Sequence, residues 1–227
     1  MGTSARKRSY SSPGRRANAE RTRAAVLEGA HRAFTERGWD GMSMRDLARE
    51  VGVSVETIYA SVGNKARLLR QAIDAAVSGE TPGETPGEAL GVDLSGWGMP
   101  NALAKGTRTQ RVQAAARMLN AINERVGGLQ RALEQGAVSE PELAEQLAVL
   151  RERQLQAANN VLRLVLGDEP SEELCRGVLT ISYAPTRRLY VDELGHTAQD
   201  YVEFLARHFA LEIQAHHPPQ QGKKVTP

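Results

Sequence analysis

Apolar residues recur every three or four positions in a short stretch near the N-terminus. The residues of this stretch are Met44, Leu47, Ala48 and Val51. Such spacing predicts a short helix with one buried face. Ser43 and Asp46 form a variant of the capping box that starts a helix. Gly52 follows at once, and a glycine there favours a left-handed helix end because it has no Cβ to clash.

A second short helix is predicted directly after this turn. Ser54 can cap it, and it extends to about Ser61. Ile58 and Val62 form its inward face. Two short helices joined by a glycine turn have the geometry of a helix-turn-helix. The outward residues are small, polar or aromatic with a hydroxyl group, and such a surface can lie close to DNA. They are Ser54, Val55, Glu56, Thr57, Tyr59, Ala60 and Ser61.

Helical periodicity continues through most of the chain and no stretch alternates as a strand does, so we predict an all-α protein. Further helices are expected at 18–37, 65–77, 102–126, 129–135, 139–166, 171–183, 187–194 and 197–216. Gly127 and Gly128 are expected to break a helix, because glycine is a poor helix former. Ser139 is expected to cap the long helix that follows. The last helix is apolar nearly all round, which predicts burial against neighbours or a second subunit.

The chain divides into five segments. Residues 1–17 have few apolar residues and two basic clusters, so we predict a disordered basic arm, which either follows DNA or is a solubilising tail. Residues 18–77 form the N-terminal helix-turn-helix domain. Residues 78–101 repeat ETPG in tandem and are too rich in glycine and proline to continue a helix. Residues 102–216 form a second helical domain, and residues 217–227 form a disordered tail.

The distribution of charge agrees with this division. The 227 residues have a formal net charge of +2, are 41% apolar and 25% charged, and contain 4% aromatic residues. The first 70 residues contain 14 Lys and Arg against 7 Asp and Glu, whereas the rest contain 15 against 20. A basic head on an acidic body suits a protein that touches nucleic acid at one end. A chance imbalance of solvated charges is the plainer alternative.

Composition and motifs argue against several other classes. Cys175 is the only cysteine, so no internal disulfide can form, and this fits a reducing compartment. No apolar run reaches membrane-spanning length and the basic N-terminus lacks the apolar core of a signal peptide, so we expect a cytoplasmic protein and no membrane. No P-loop, HExxH, CxxC or GxGxxG motif is present, and the nearest match to GxSxG has Glu56 in place of glycine. We therefore expect no enzyme activity, no cofactor and no metal.

Residues 20–77 resemble the DNA-binding domain of the tetracycline-repressor (TetR) family of bacterial regulators. The resemblance is carried by residues 33–69, AFTERGWDGMSMRDLAREVGVSVETIYASVGNKARLL. The motifs ERG, S-x-R-D-L-A, V-G-V-S and T-I-Y, and a lysine six residues after the tyrosine, follow the order and spacing of the family. Members often carry an aromatic residue or histidine, then phenylalanine, where this chain has Ala60, Ser61 and Val62. The resemblance implies a three-helix helix-turn-helix domain followed by a helical ligand-binding and dimerisation domain.

The resemblance also implies which residues contact DNA. Phosphate contacts are expected from Ser43, Thr57, Tyr59 and Lys65. Base contacts are expected at Arg45, Val55, Glu56 and Ala60, and Ser54 and Ser61 complete the surface. Arg45 would reach a guanine, although a phosphate or an intramolecular partner is the alternative. Val55 meets a thymine methyl group or packs inward, and Glu56 can accept a hydrogen bond from cytosine.

The predicted function is a ligand-responsive, dimeric transcriptional repressor on double-stranded operator DNA. Candidate residues for the unknown small-molecule effector are Trp97, Met118, Leu119 and Ile122. Core packing is the alternative for the last three, and anchoring of the long loop is the alternative for Trp97. By order along the chain, the family's dimer interface would fall at 171–190 and 197–216. A helix-turn-helix protein controlled by a protein partner instead of a small ligand is the second hypothesis.

Overall fold

The computed structural model describes residues 13–78 and 100–216. Within these residues every regular element is a helix, so the all-α prediction is confirmed. None of these helices is long and apolar enough to span a bilayer. Residues 1–12, 79–99 and 217–227, which include most of the predicted arm and loop and the whole predicted tail, lie outside the described residues.

The described helices fall on either side of the segment 79–99. We call the first four the head: α1 (Pro13–Gly41), α2 (Met44–Val51), α3 (Val55–Val62) and α4 (Lys65–Ser78). We call the others the body: α5 (Pro100–Ala104), α6 (Arg108–Gly136), α7 (Pro141–Leu166), α8 (Glu172–Ser182), α9 (Ala184–Arg187) and α10 (Ala198–His216). Helix α9 continues directly into a π-helical turn, Arg188–Glu193.

Buried side chains form two hydrophobic clusters, and α6 contributes to both. The first cluster combines the inward faces of α1 to α4 with Val126, Leu129 and Leu133 of α6 and Leu143 of α7. The second cluster combines α5, the N-terminal half of α6, the C-terminal half of α7, α8 and α10. The head is therefore packed onto the body through a shared core, and α6 is the element that joins them.

Three hydrogen bonds reinforce the seam between α1 and α6. They join His31 Nε2 to Arg125 O, Arg131 Nη2 to Thr35 O, and the Trp39 N–H to Gln135 Oε1, each at 2.9 Å. The last bond lies next to Gly38, which interrupts α1 with φ 69 directly after the predicted helix end at residue 37. Each of these bonds crosses between head and body and adds to the contact made by the shared core.

Helix α1 begins five residues before its predicted start. It starts at Pro13 instead of Asn18, so residues 13–17 of the predicted disordered arm are helical. Proline is well tolerated in the first turn of a helix, where its missing N–H has no partner to lose. One turn later Arg16 pairs with Glu20 at 3.2 Å, an i,i+4 spacing that supports a helix.

The predicted helix-turn-helix is present with the caps that the sequence indicates. Ser43 accepts a hydrogen bond from the Asp46 N–H at the start of α2. Gly52 ends that helix in the left-handed region with φ 76. Ser54 accepts a hydrogen bond from the Thr57 N–H at the start of α3. Each side chain satisfies a backbone donor that the first turn of a helix leaves unpaired, so local chemistry fixes both short helices.

The predicted helix break at Gly127 and Gly128 is wrong, because α6 runs through both glycines. The separate helix expected at 129–135 is therefore part of α6. A Cβ at Gly128 would lie 2.6 Å from Cγ2 and 2.8 Å from Cα of Thr35 in α1, whereas a Cβ at Gly127 would lie 3.9 Å from Ala184 Cβ. Gly128 thus allows a close approach of α6 to α1, and this packing outweighs the low helix propensity of glycine.

Two other helix starts differ from the predicted ones. The helix expected from residue 102 is divided into α5 and α6, because Thr107 starts α6 with a capping box. The predicted cap Ser139 is also wrong: Glu140 occupies the N-cap position of α7 without a side-chain hydrogen bond. The Ser139 N–H instead donates to Gly136 O at 3.2 Å and belongs to the turn that ends α6.

Helix α10 is buried on one face by its neighbours in the chain, and burial of the rest against a second subunit stays a prediction. The inward face consists of Tyr201, Val202, Leu205, Ala206, Phe209 and Ile213. Glu203 and Arg207 interrupt the apolar pattern and are exposed. Leu211 on the outer side is 56% exposed. The outer side of α10 is therefore mixed, with polar residues beside an open leucine.

Candidate DNA-binding surface and effector cavity

Helix α3 turns one face to the core and the opposite face to solvent. Ile58 and Val62 are buried in the core of the head, which fixes the rotation of the helix about its axis. The exposed residues are Ser54, Glu56, Thr57, Tyr59 and Ala60. The Tyr59 side chain is 51% exposed. The structure thus brings five of the predicted contact residues together on one open, mainly polar surface.

Val55 and Ser61 are less accessible than the other predicted residues of α3. Val55 is half-buried and packs against the core of the head, which is the inward alternative that the sequence left open. Ser61 is also half-buried, and its hydroxyl donates to Ile58 O at 3.0 Å. Contacts within the protein therefore leave both side chains only partly available for contact with DNA.

The predicted contacts of α2 differ in availability. The Ser43 hydroxyl accepts from the Asp46 N–H at 3.1 Å and donates to Asp46 Oδ2 at 2.6 Å. The hydrogen bond from Ser43 is the main reason why the pKa of the Asp46 carboxyl lies below its ordinary value. Arg45 is exposed and forms no hydrogen bond or ion pair with any residue of 13–78 or 100–216. Its guanidinium is therefore available to a phosphate or a base edge.

Lys65 is engaged inside the head. Its Nζ donates to Trp39 O at 2.5 Å and lies 4.1 Å from the centre of the Trp39 ring, a cation–π distance. Burial lowers the pKa of the Lys65 ammonium, and the carboxylates of Asp40 and Glu140 partly counter this. The predicted phosphate ligand thus also ties the start of α4 to the end of α1.

Two residues that hold α3 in place were not identified from the sequence. Arg23 Nη1 donates to Ser61 O at 2.5 Å, and Arg23 Nη2 donates to Gln71 Oε1 at 2.8 Å. Gln71 Nε2 in turn donates to Val62 O at 3.2 Å. The last carbonyl groups of α3 are therefore bound by side chains from α1 and α4. No local signal marks this clamp, because Arg23 and Ser61 are 38 positions apart.

Helices α4, α6, α7 and α8 line a partly open cavity of about 130 Å³ with mainly aliphatic walls. Met118, Leu119 and Ile122, three of the predicted effector residues, lie in this wall. Trp97, the fourth, lies outside the described residues. Part of the wall comes from α4, so the cavity touches the helix that follows the helix-turn-helix.

Two charged residues line the cavity, and the sequence reasoning missed both. Asp74 lies on α4 and Arg153 on α7. Neither forms a hydrogen bond or an ion pair within the described part of the chain. Burial raises the pKa of the Asp74 carboxyl, against the lowering effect of Arg70 and Arg153, and burial lowers the pKa of the Arg153 guanidinium. Asp74 interrupts an apolar run and was detectable on that ground, whereas nothing local distinguishes Arg153.

Comparison with known proteins gives a sequence match over part of the chain. The family model described as "Bacterial regulatory proteins, tetR family" matches residues 26–72. Two Pseudomonas putida proteins, the HTH-type transcriptional regulators TtgR and ArpR, are each 39% identical to this chain over 57 residues. The match covers 25% of this chain and 27% of each relative, so the chain spans about a quarter of the length of the curated relatives it matches.

Solved structures share the fold over most of the chain. A Mesorhizobium loti protein described as a TetR-family transcriptional regulator has a TM-score of 0.64 at 16% identity, covering 88% of this chain and 98% of that chain. A transcriptional regulator from Rhodococcus sp. Rha1 has a TM-score of 0.62 at 17% identity, covering 84% of this chain and 95% of that chain. At these identities the likeness shows the fold alone.

The family model and the curated relatives agree with the motifs in residues 33–69, and the solved structures agree with the arrangement of head and body. The matched proteins are described as regulators and not as enzymes, which agrees with the predicted class of protein. Residues 26–72 therefore match the tetR family of bacterial regulatory proteins, and the described chain shares its fold with solved structures described as transcriptional regulators.

Proposed function

We propose that the chain is a dimeric transcriptional repressor that a small molecule releases from a near-palindromic operator. The supporting observation is the continuity of α3 and α4. Helix α3 exposes the predicted DNA surface, and α4, which starts three residues after α3 ends, forms part of the cavity wall. A molecule in the cavity thus touches the helix next to the DNA surface. Because a repressor acts on the chromosome, the proposal places the chain in the bacterial cytoplasm.

In this proposal α3 enters the major groove. Thr57 and Tyr59 bind phosphates, and Glu56 and Ala60 face base edges. Arg45, whose guanidinium is unoccupied among the described residues, takes the base contact at the start of α2. Its bidentate fork suits the O6 and N7 atoms of guanine. Phosphate contacts then set the register, and a few base contacts set the sequence preference.

Lys65 has a double role in the proposal. Its ammonium carries three N–H donors, and Trp39 O accepts one of them. A phosphate at the start of α4 would take another, where the free N–H groups of the helix also favour an anion. The same side chain would then fix α4 against α1 and bind the DNA backbone.

Release from DNA requires the small molecule to bind the DNA-incompetent arrangement more tightly than the competent one. The cavity supports such a difference, because its wall contains residues from α4 of the head and from α6, α7 and α8 of the body. A change in the fit between these helices changes the position of α4. Because Gln71 of α4 donates a hydrogen bond to Val62 O, a movement of α4 also shifts the end of α3.

The dimer in the proposal uses residues 171–190 and 197–216. Helices α8 and α10 pack against each other in the second hydrophobic cluster. Leu189 beyond α8 is 49% exposed, and Leu211 of α10 is 56% exposed. Large apolar side chains that remain open on adjacent elements support a contact with a second copy. Two recognition helices would then meet major grooves about 34 Å apart.

Selection of bound duplexes from a random pool at roughly physiological salt tests the proposal, because low salt enriches non-specific binding. We expect a two-fold symmetric motif with half-sites one helical turn apart. Arg45→Ala should relax the preference at one base pair, and Lys65→Ala should weaken all sequences by a similar factor. Arg117→Ala, an exposed position on α6, is the matched control and should change neither property. Selection without enrichment would contradict operator binding.

A further inference from the structure

Seven polar residues line the described part of the cavity, and five of them already form a hydrogen bond within the protein. Their bonds run from Asn123 Nδ2 to Ser182 O, from Ser182 Oγ to Val178 O, from Gln154 Nε2 to Gln130 Oε1, from Gln130 Nε2 to Glu134 Oε1, and from Tyr183 OH to Glu134 Oε1. The remaining two are Asp74 and Arg153, which form no such bond among the described residues. A ligand therefore meets two open polar groups, one carboxyl and one guanidinium.

These two groups respond differently when a ligand displaces water from the cavity. Burial already raises the pKa of the Asp74 carboxyl, so this group can become neutral by binding a proton. The Arg153 guanidinium keeps its charge in proteins and needs an anionic partner when it is desolvated. Arg70 adds positive charge near both groups. Glu152, which also acts on Arg153, is exposed and screened, and the Glu134 carboxylate already accepts hydrogen bonds from Gln130 and Tyr183. Of the two open groups, the one whose charge persists in a filled cavity is therefore Arg153.

The walls limit the body of the ligand. Tyr183 is the one aromatic residue among the described lining residues, and its hydroxyl is bonded to Glu134, so these residues offer no set of aromatic faces for a cation. The volume of about 130 Å³ is near that of an engineered apolar cavity that holds benzene. A hydrocarbon body of roughly six carbon atoms fills this space, and a slightly longer chain can extend through the open side of the cavity.

We propose that the effector of this chain is a small amphiphilic monocarboxylate, whose carboxylate binds the Arg153 guanidinium and whose hydrocarbon body fills the aliphatic cavity. Asp74 on α4 then lies beside the bound carboxylate and hydrogen-bonds to it as a neutral acid. A cationic ligand would pair with Asp74 but leave the guanidinium unpaired in the same cavity. The inference rests on the proposed function, because it names the class of molecule that would release the DNA.

Three probes with the same eight-carbon chain and different head groups test this class: octanoate, octanol and octylamine. Binding to the full-length protein is measured by calorimetry at neutral pH. We expect octanoate to bind at least tenfold more tightly than octanol, and octylamine to bind most weakly. Arg153→Met should weaken octanoate binding by roughly ten- to a hundredfold, the loss of a charge-assisted hydrogen bond, and leave octanol binding unchanged. Arg163→Met, an exposed arginine of α7 that does not line the cavity, is the matched control.

Equal binding of octanoate and octanol, tighter binding of octylamine, or no binding of any probe would overturn the assignment. Retained octanoate affinity in Arg153→Met would overturn the role of Arg153. Ala157→Leu, which places a larger side chain in the cavity wall, should abolish binding of all three probes if they enter the cavity. Selection of operator DNA is a separate measurement, so a palindromic motif without carboxylate binding refutes this inference and leaves the proposed function standing.

Discussion

In the head, Gly38 and Gly52 interrupt or end helices with φ of 69 and 76, whereas in the body Gly127 and Gly128 lie inside α6. All four positions look alike in the sequence, as glycines beside an apolar face. The difference lies in what surrounds them. In the head, glycine is needed because the backbone has a positive φ. At Gly128 it is needed because Thr35 lies too close to leave room for a Cβ.

Capping differs less between the two regions than the use of glycine does. The short helices of the head begin at serines whose hydroxyl groups bind N–H groups three residues later. Helices α6, α8 and α10 of the body begin in the same way at Thr107, Ser171 and Thr197, whereas α7 begins without a side-chain cap. The effects of substitution at the glycines and at the caps can therefore be compared between head and body.

The largest expected effect is at the glycine pair of α6. Gly128→Ala places a Cβ 2.6 Å from Cγ2 and 2.8 Å from Cα of Thr35, so backbone must move, and we expect a loss of about 1–3 kcal/mol in the free energy of unfolding. Gly127→Ala meets nothing closer than 3.9 Å and should gain up to about 1 kcal/mol from helix propensity. Urea denaturation at one fixed protein concentration measures both. Similar changes for the two variants would show that packing on α1 does not set the use of glycine in α6.

Gly52 provides the corresponding test in the head. Within residues 13–78 and 100–216, no atom lies within 4 Å of the Cβ that a larger residue would add there, so the cost of substitution comes from the backbone at φ 76. Gly52→Ala should therefore lose about 1–2 kcal/mol, and Gly52→Asn should lose less, because asparagine tolerates the left-handed region better. The same denaturation experiment distinguishes them. An alanine variant as stable as the wild type would contradict a conformational role.

The sequence predicts the head well, for a physical reason. The capping serines, the terminal glycine and the apolar spacing of α2 and α3 lie within a few residues of the features they control, so local reading finds them. The role of Arg23 at the end of α3 cannot be predicted from neighbouring residues, because its partner Ser61 is 38 positions away. The inward packing of Val55 also depends on the neighbouring helices and not on the residues beside it.

In the body the sequence predicts the elements but not their contacts. Met118, Leu119 and Ile122 are apolar residues of one helix in the sequence, and the structure places them in a cavity wall. Arg153 and Asp74 come from different helices, and no spacing along the chain brings them together. The break predicted at Gly128 fails because its cause, the close approach of Thr35, lies in another helix.

A smaller difference in stability is expected between substitutions at the two predicted caps, Ser54, which is confirmed, and Ser139, which is wrong. Ser54→Ala removes the acceptor for the Thr57 N–H at 3.1 Å and should cost about 1 kcal/mol. Ser139→Ala removes an exposed hydroxyl that caps no helix and should change stability by less than about 0.5 kcal/mol. Denaturation again measures both variants. A comparable loss at Ser139 would indicate that its hydroxyl has a role in the turn before α7.

The smallest expected effect is a pH dependence of opposite sign at two aspartates. The pKa of Asp46 in the head is lowered, mainly by the hydrogen bond from Ser43, so its ionised form stabilises the protein above the unfolded pKa of about 3.9, and this contribution is lost as pH falls through the folded pKa. The pKa of Asp74 in the body is raised, mainly by burial, so stability is greatest below its unfolded pKa and falls as pH rises through the folded one.

Asp46→Asn should therefore be less stable than the wild type at pH 7 and approach it on acidification. Asp74→Asn should be more stable than the wild type at pH 7, provided no carboxylate ligand is present, and should also approach it at low pH. Denaturation series between about pH 3 and 7 measure both differences. If both variants shifted stability in the same direction at pH 7, the contrast between an aspartate held by a local cap and one desolvated in a cavity wall would fail.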